Sequence, residues 1–155
     1  MEVFLKSLLL ATFIMMGIVS NVHAADLDGS YQMQSWTCMD GSSPFSNDVV
    51  TRIVSSTFLK ISGNKIISTL KFDKGCEVHW MAPFTLIADE LTISEMTGSA
   101  SPACHDHPQE KEPAMTFSII ASNDMITFYH APTPTETCSS GSVRVYKKII
   151  PNKKN

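Results

Sequence analysis

Tight turns of similar chemistry divide much of this chain into short segments. Ser62-Gly63-Asn64, Ala88-Asp89-Glu90 and Ser122-Asn123-Asp124 combine Gly, Asn and Asp, which tolerate the left-handed backbone conformations that hairpin turns need. The segments around these turns are rich in Val, Ile, Thr, Phe and Tyr, and none shows a sustained spacing of three to four between apolar residues. The sequence therefore predicts an all-β domain.

Eight candidate strands follow from this pattern. They span residues 29–37, 51–62, 65–73, 76–87, 90–97, 115–121, 125–131 and 142–150. The tight turns follow the second, fourth and sixth strands, whereas a turn at 73–75 and longer loops at 38–50, 98–114 and 132–141 follow the others. In an up-and-down meander, every second connection emerges at the same end. We therefore predict an eight-stranded antiparallel barrel with one closed and one open end. A Greek-key sandwich is the alternative, but it does not explain the alternation of loop lengths.

The four cysteines after residue 24 are Cys38, Cys76, Cys104 and Cys138. Their number is even and none belongs to a C-x-x-C pair, which favours two disulfides over a zinc site. The sequence alone allows three pairings. In the predicted barrel all four lie at the open end, the last strand adjoins the first, and the fourth adjoins the fifth. We therefore predict the disulfides Cys38–Cys138 and Cys76–Cys104.

Residues 1–24 have the pattern of a signal peptide. Lys6 precedes an apolar run from Leu8 to Val19, and small or apolar residues precede a cleavage site near Ala24. The run is about 12 residues long, whereas a membrane-spanning helix needs about 20. We expect residues 25–155 to form one secreted or periplasmic domain with no transmembrane segment, and an uncleaved N-terminal anchor is the alternative.

Charge and motifs narrow the functional classes. The formal net charge is −3, and the basic cluster of Lys147, Lys148, Lys153 and Lys154 is typical of a solvated tail, so we expect no nucleic-acid partner. There is no Gly-x-Ser-x-Gly motif, phosphate-binding loop or paired-carboxylate signature, so we expect neither an enzyme nor a cofactor.

One loop contains side chains that metals favour. Cys104-His105-Asp106-His107 lies between two prolines, and His105 and His107 are candidate ligands for Zn or Cu that His130 would join. A polar loop held by a disulfide is the commoner explanation of such a cluster, and we expect no metal site here.

Alternation along the strands predicts which side chains face the barrel interior. The predicted inward set is Ile66, Leu70, Phe72, Val78, Trp80, Ala82, Phe84, Leu86, Leu91, Ile93, Phe117, Ile119, Val143 and Val145. An eight-stranded barrel is either filled by its own side chains or encloses one small ligand. For the second case, Tyr31, Phe72, Trp80 and Phe84 are the candidate ligand-binding residues.

Two motifs give the chain a family resemblance. With Gly29-Ser30-Tyr31 opening the first strand and Arg144 in the last, it resembles the lipocalin-like proteins of the calycin superfamily. Lipocalins carry Gly-x-Trp at the first position, and an Arg or Lys on the final strand packs across that ring. The resemblance implies that Tyr31 takes the place of this Trp and Arg144 that of the cation. A core Tyr31 and a surface Arg144 are the purely structural alternative.

The resemblance also implies a function. We expect a secreted or periplasmic lipocalin-like protein that binds a small apolar or amphipathic molecule at its open end. The alternatives are a filled calycin-type barrel whose open-end loops bind or inhibit a secreted protein, and a structural envelope protein.

Overall fold

The computed structural model describes residues 23–104, 111–134 and 137–150. The expected signal peptide lies outside the described residues except for His23 and Ala24, and His105 and His107 lie outside them as well. Within the described ranges, no helix is long and apolar enough to cross a membrane.

The described residues form ten β-strands and one α-helix, with short 3₁₀ turns at Ala24–Leu27 and Asp73–Gly75. The strands are β1 Gly29–Cys38, β2 Thr57–Ser62, β3 Lys65–Lys71, β4 Glu77–Ile87, β5 Glu90–Ile93, β6 Met96–Ala100, β7 Lys111–Glu112, β8 Met115–Ala121, β9 Met125–His130 and β10 Ser142–Lys148. In the order β1, β2, β3, β4, β5, β8, β9, β10, each strand pairs antiparallel with the next, and β10 closes on β1. The predicted all-β, up-and-down, eight-stranded barrel is confirmed.

One of the predicted strands is interrupted near the open end. Along one edge of β4, Phe84 pairs with Ile93 of β5 and Met81 pairs with Thr97 of β6, so the register changes by one residue between them. The predicted strand 90–97 is therefore broken at Ser94 and continues to Ala100. Because β7 pairs with β6, the β6–β7 hairpin extends this side of the barrel beyond the β5–β8 ladder.

The prediction that the second strand begins at residue 51 was wrong. Residues 47–56 form helix α1, Asn47–Ser56, and the strand begins only at Thr57. The apolar residues Val49, Val50, Ile53 and Val54 lie on one helical face, a spacing that a short run of β-branched residues hides. β2 pairs only with Gly29–Gln32 of β1, so residues 33–38 of β1 have no β2 neighbour. Helix α1 lies beside β1. No residue of α1 is buried.

Both predicted disulfides are present. Cys38–Cys138 joins the end of β1 to the loop before β10, and Cys76–Cys104 joins the start of β4 to the segment after β6. All four cysteines lie at the open end, where the strand connections are long. The closed end has the tight turns, in which Gly63 and Ala88 adopt positive φ values of 58° and 56°.

The interior is a continuous apolar core. Val78, Ala82, Phe84, Leu91, Ile93, Phe117 and Ile119 are buried, as predicted, and Trp80 packs against them half-buried. Two predictions about the faces were wrong. Phe72 lies beyond the end of β3 and is 43% exposed. In β10, the buried residues are Ser142 and Tyr146, whereas Val143 and Val145 are half-buried on the other face.

Candidate functional site

A small, partly open cavity lies in the open half of the barrel. Its volume is about 80 Å³, the liquid volume of about three water molecules. The apolar lining residues are Leu59, Ile66, Ile93, Met96, Met115, Phe117 and Phe128. Three further lining residues carry polar hydrogens, namely Ser68, Arg144 and Tyr146. The barrel is therefore nearly filled by its own side chains, and the remaining space has both apolar and polar lining residues.

A β-bulge in β1 explains why Trp36 faces inward opposite Arg144. In β1, Met33 pairs with Tyr146 and Ser35 with Val145, so Gln34 is an extra residue. Beyond Gln34 the inward positions of β1 change from odd to even. Trp36 therefore faces inward opposite Arg144, on the same face as Tyr146.

Aromatic rings hold the Arg144 guanidinium in place. Its Cζ atom lies 4.7 Å from the centroid of the Trp36 ring and 6.0 Å from that of Phe117, both within the range of cation–π attraction. Phe45, from the loop before α1, packs edge-on against Trp36 at 5.5 Å. Arg144 is thus a positioned cation in an aromatic setting and not the surface cation of the structural alternative.

Tyr146 is the second polar group of the cavity. Burial raises its pKa to about 12, although the nearby Arg144 acts in the opposite direction. The phenol is therefore neutral at physiological pH and retains a hydroxyl hydrogen to donate. Phe128 packs edge-on against this ring at 5.5 Å and fixes it on the cavity wall.

A larger vestibule adjoins the cavity at the open end. It has a volume of about 590 Å³ and shares two lining residues with the cavity, Met115 and Arg144. Its polar lining includes Glu112 and His130, and the His130 ring lies 4.9 Å from that of Phe117. Met115 and Arg144 line both spaces, and we call this pair the neck.

The four predicted ligand-binding residues do not come together at this cavity. Tyr31 is buried near the closed end, Phe84 is buried in the core, Trp80 is half-buried on β4, and Phe72 is exposed. None of them is among the residues that line the cavity or the vestibule. Their role in binding stays a prediction.

Sequence reasoning missed most of the cavity lining, above all Ser68, Met115 and Tyr146. The alternation of Ser142, Arg144 and Tyr146 in the last strand was a usable signal, because these residues share one face.

The cation that packs on Tyr31 is also not the predicted one. Tyr31 pairs directly with Lys148, whose Nζ lies 5.7 Å from the centroid of the tyrosine ring. Arg144 is four residues away, about 13 Å along the strand, and packs on Trp36 instead. The Tyr31 hydroxyl donates a hydrogen bond to the Leu27 carbonyl at 2.8 Å, which fixes the 3₁₀ turn under the closed end.

No group of three or more His, Cys, Asp or Glu side chains that could hold a metal ion occurs within residues 23–104, 111–134 and 137–150. The suggested ligands His105 and His107 fall outside this part of the chain, so the structure does not test them.

The closed, eight-stranded antiparallel barrel with a cavity toward its open end is a lipocalin-like fold. A lipocalin-like protein from Bacteroides uniformis has a similar structure, with a TM-score of 0.53 and 17% sequence identity over 80% of this chain and 99% of that one. An uncharacterized protein from Bacteroides eggerthii aligns with a TM-score of 0.49 and 14% identity, covering 79% and 98% of the two chains. No family model and no curated protein matches the sequence. At these identities, the comparison establishes the fold alone.

Proposed function

We propose that this protein binds a small apolar or amphipathic molecule at the open end of its barrel and acts outside the cytoplasm after cleavage near Ala24. The observation that carries the proposal is the pair of adjoining spaces, an apolar cavity and a vestibule, that meet at Met115 and Arg144. Typical ligand pockets have volumes of about 300–1,000 Å³. The vestibule lies in that range, and the cavity beneath it has room only for one end of a ligand.

The expected compartment agrees with the cysteines. All four form disulfides, and such bonds persist in oxidising environments such as the periplasm or the extracellular space. Among the described residues, no group of three or more His, Cys, Asp or Glu side chains could hold a metal ion. Binding a small molecule requires no catalytic step.

Blocking the neck tests the binding function. Met115→Trp places a large ring between vestibule and cavity, whereas Met81→Trp adds the same ring to an exposed position on the outer face of β4. We expect the neutral fluorescent probe N-phenyl-1-naphthylamine to bind the wild-type protein and the Met81→Trp variant. Met115→Trp should lose at least nine-tenths of the fluorescence increase. Native mass spectrometry of protein purified from its source would add the mass of any ligand that it retains.

Equal probe binding by the two tryptophan variants, or no binding by the wild-type protein, would refute the proposal. The second candidate function, a filled barrel that contacts a secreted protein through its open-end loops, is favoured by the small size of the cavity. It predicts that Met115→Trp has no effect on partner binding, since that contact would not need the interior.

A further inference from the structure

Charge divides the outer wall of the barrel into two sides. Strands β2 and β3 contain Lys60, Lys65 and Lys71 but no acidic residue, and all three lysines are exposed. Strands β5, β8 and β9, on the other side of the barrel, contain Glu90 but no lysine or arginine. The formal net charge of the chain is −3, so the overall charge does not explain this basic side.

Apolar side chains lie among these lysines. Lys60 pairs with Ile67, and Ile67 pairs with Met81 of β4, which is 54% exposed. The Lys71 Nζ lies 5.3 Å from the centroid of the Phe58 ring. Cross-strand partners lie on the same face of a sheet, about 5 Å apart, so the apolar groups alternate with the positive charges. We call these outward residues of β2, β3 and β4 the basic face.

The lysines of the basic face are only partly neutralised. Lys71 forms an ion pair with Glu77 at 3.0 Å. Lys60 and Lys65 form no ion pair in the part of the chain that the structure describes. At least two positive charges are therefore available to an anionic partner.

Strand β10 and the residue after it extend the basic face. Lys147 pairs with Gln32 of β1, and Gln32 pairs with Phe58. The Ile149 N–H donates a hydrogen bond to the Ser30 carbonyl, and the Ile149 side chain is 43% exposed. The face thus covers five neighbouring strands, from β10 to β4, which is a width of about 20 Å.

We propose that the basic face docks this protein on an anionic lipid surface. Interfacial membrane binding combines the burial of apolar side chains with the attraction of cations to anionic headgroups. The basic face supplies both, whereas a soluble polyanion would use the lysines alone. A second copy of the chain is a poorer partner for this face, because two basic faces would repel each other. The docking does not depend on ligand binding inside the barrel.

Vesicle binding by two pairs of lysine variants tests the role of charge. We would measure co-sedimentation with vesicles of phosphatidylcholine alone and of equal parts phosphatidylcholine and phosphatidylglycerol. The wild-type protein should bind the anionic vesicles at least tenfold more tightly than the neutral ones. Lys60→Gln/Lys65→Gln should weaken binding to the anionic vesicles about 25-fold, since each lysine close to such a surface contributes about fivefold.

The matched control removes the same charge elsewhere. Lys74 lies in the turn at the open end and Lys111 lies in β7, and both are exposed. Lys74→Gln/Lys111→Gln should therefore leave the affinity for the anionic vesicles within twofold of the wild type.

A tryptophan on each side of the barrel reports which side contacts lipid. Met81→Trp places the ring on the basic face, whereas Ile120→Trp places it at a 63% exposed position on β8. Tryptophan favours the membrane interface. On the anionic vesicles, the fluorescence emission of Met81→Trp should shift to shorter wavelength than that of the wild type. Ile120→Trp should show no such additional shift.

Equal binding of the two kinds of vesicle by the wild-type protein, or equal weakening by the two lysine pairs, would refute the proposal. Charge-dependent binding without an emission shift in Met81→Trp would also refute it and would indicate a site for a soluble polyanion. A dimer in size-exclusion chromatography that Lys60→Gln/Lys65→Gln strengthens would assign the face to a second copy instead. Absence of vesicle binding together with retained N-phenyl-1-naphthylamine binding would overturn the docking alone and leave the proposed function intact.

Discussion

The two disulfides should differ in how strongly they stabilise the fold, because they close loops of very different length. Cys38–Cys138 spans a sequence separation of 100 residues and Cys76–Cys104 one of 28. In the chain-entropy model, cross-links of these lengths stabilise the native state by about 4.7 and about 3.6 kcal/mol. The shorter loop lies within the longer one, but the dependence on length is logarithmic, so nesting changes these values little.

Burial adds to the difference. Cys38 and Cys138 are both almost fully buried, whereas Cys104 is half-buried, so alanine substitution removes more buried volume at the first bridge. We expect the Cys38→Ala/Cys138→Ala variant to lose about 5 kcal/mol of unfolding free energy. The Cys76→Ala/Cys104→Ala variant should lose about 3–4 kcal/mol. A domain of this size is stable by about 5–15 kcal/mol, so the first loss brings it near marginal stability.

Equilibrium unfolding in urea at 25 °C, followed by tryptophan fluorescence without reductant, measures both values. The m-value should also rise more for the Cys38/Cys138 variant, because its unfolded chain gains more freedom to expand. An equal or larger loss in the Cys76/Cys104 variant would refute the loop-length argument. It would indicate instead that the contacts near that bridge dominate its contribution.

Three further predictions address the interior and the rim. Burial raises the pKa of Tyr146 from 10.0 to about 12. The neutral phenol therefore contributes fully to stability below pH 10, and this contribution is lost as the pH approaches 12. In a pH titration followed at 295 nm, Tyr146→Phe should remove the last phenolate transition. Gly141→Ala should lower the free energy of unfolding, measured in urea, by at least about 2 kcal/mol more than Gly41→Ala. Both glycines have positive φ, but of the two only Gly141 would place a Cβ 2.5 Å from a carbonyl oxygen. Leu91→Ala, at a fully buried position, should lower the free energy of unfolding by about 2–5 kcal/mol. Ile87→Ala, at a position that is 77% exposed, should change it by no more than about 0.5 kcal/mol.

The sequence was sufficient to predict the barrel because the chemistry of turns and the lengths of loops can be read locally. Once the tight turns alternate with long loops, the meander and the positions of the four cysteines follow without further information. Helix α1 was missed for the opposite reason. Val49, Val50, Ile53 and Val54 favour a strand by residue type, and only the free space beside β1 makes a helix the better packing solution there.

The interior site was harder to predict because strand faces depend on register. In β10, hydrophobicity alone favours Val143 and Val145 as the inward residues. Their partners across the ladders decide otherwise, since Arg144 pairs with Trp36 and Phe128, and both of these face inward. The register in turn depends on the extra residue in β1, which no local pattern reveals. Phe84, which the sequence suggested as a ligand contact, is buried in the core, and its role in binding stays a prediction.

The extra residue Gln34 makes β1 tolerant of one particular kind of genetic change. Losing one residue from a regular strand turns every following side chain to the opposite face, but deleting Gln34 would leave Met33, Ser35 and Trp36 in plain alternation, in register with Tyr146, Val145 and Arg144. Trp36 would still face Arg144, and Cys38 would keep its place opposite Ser142. A lost codon at Thr37, by contrast, would leave the bulge in place and turn Cys38 away from Cys138.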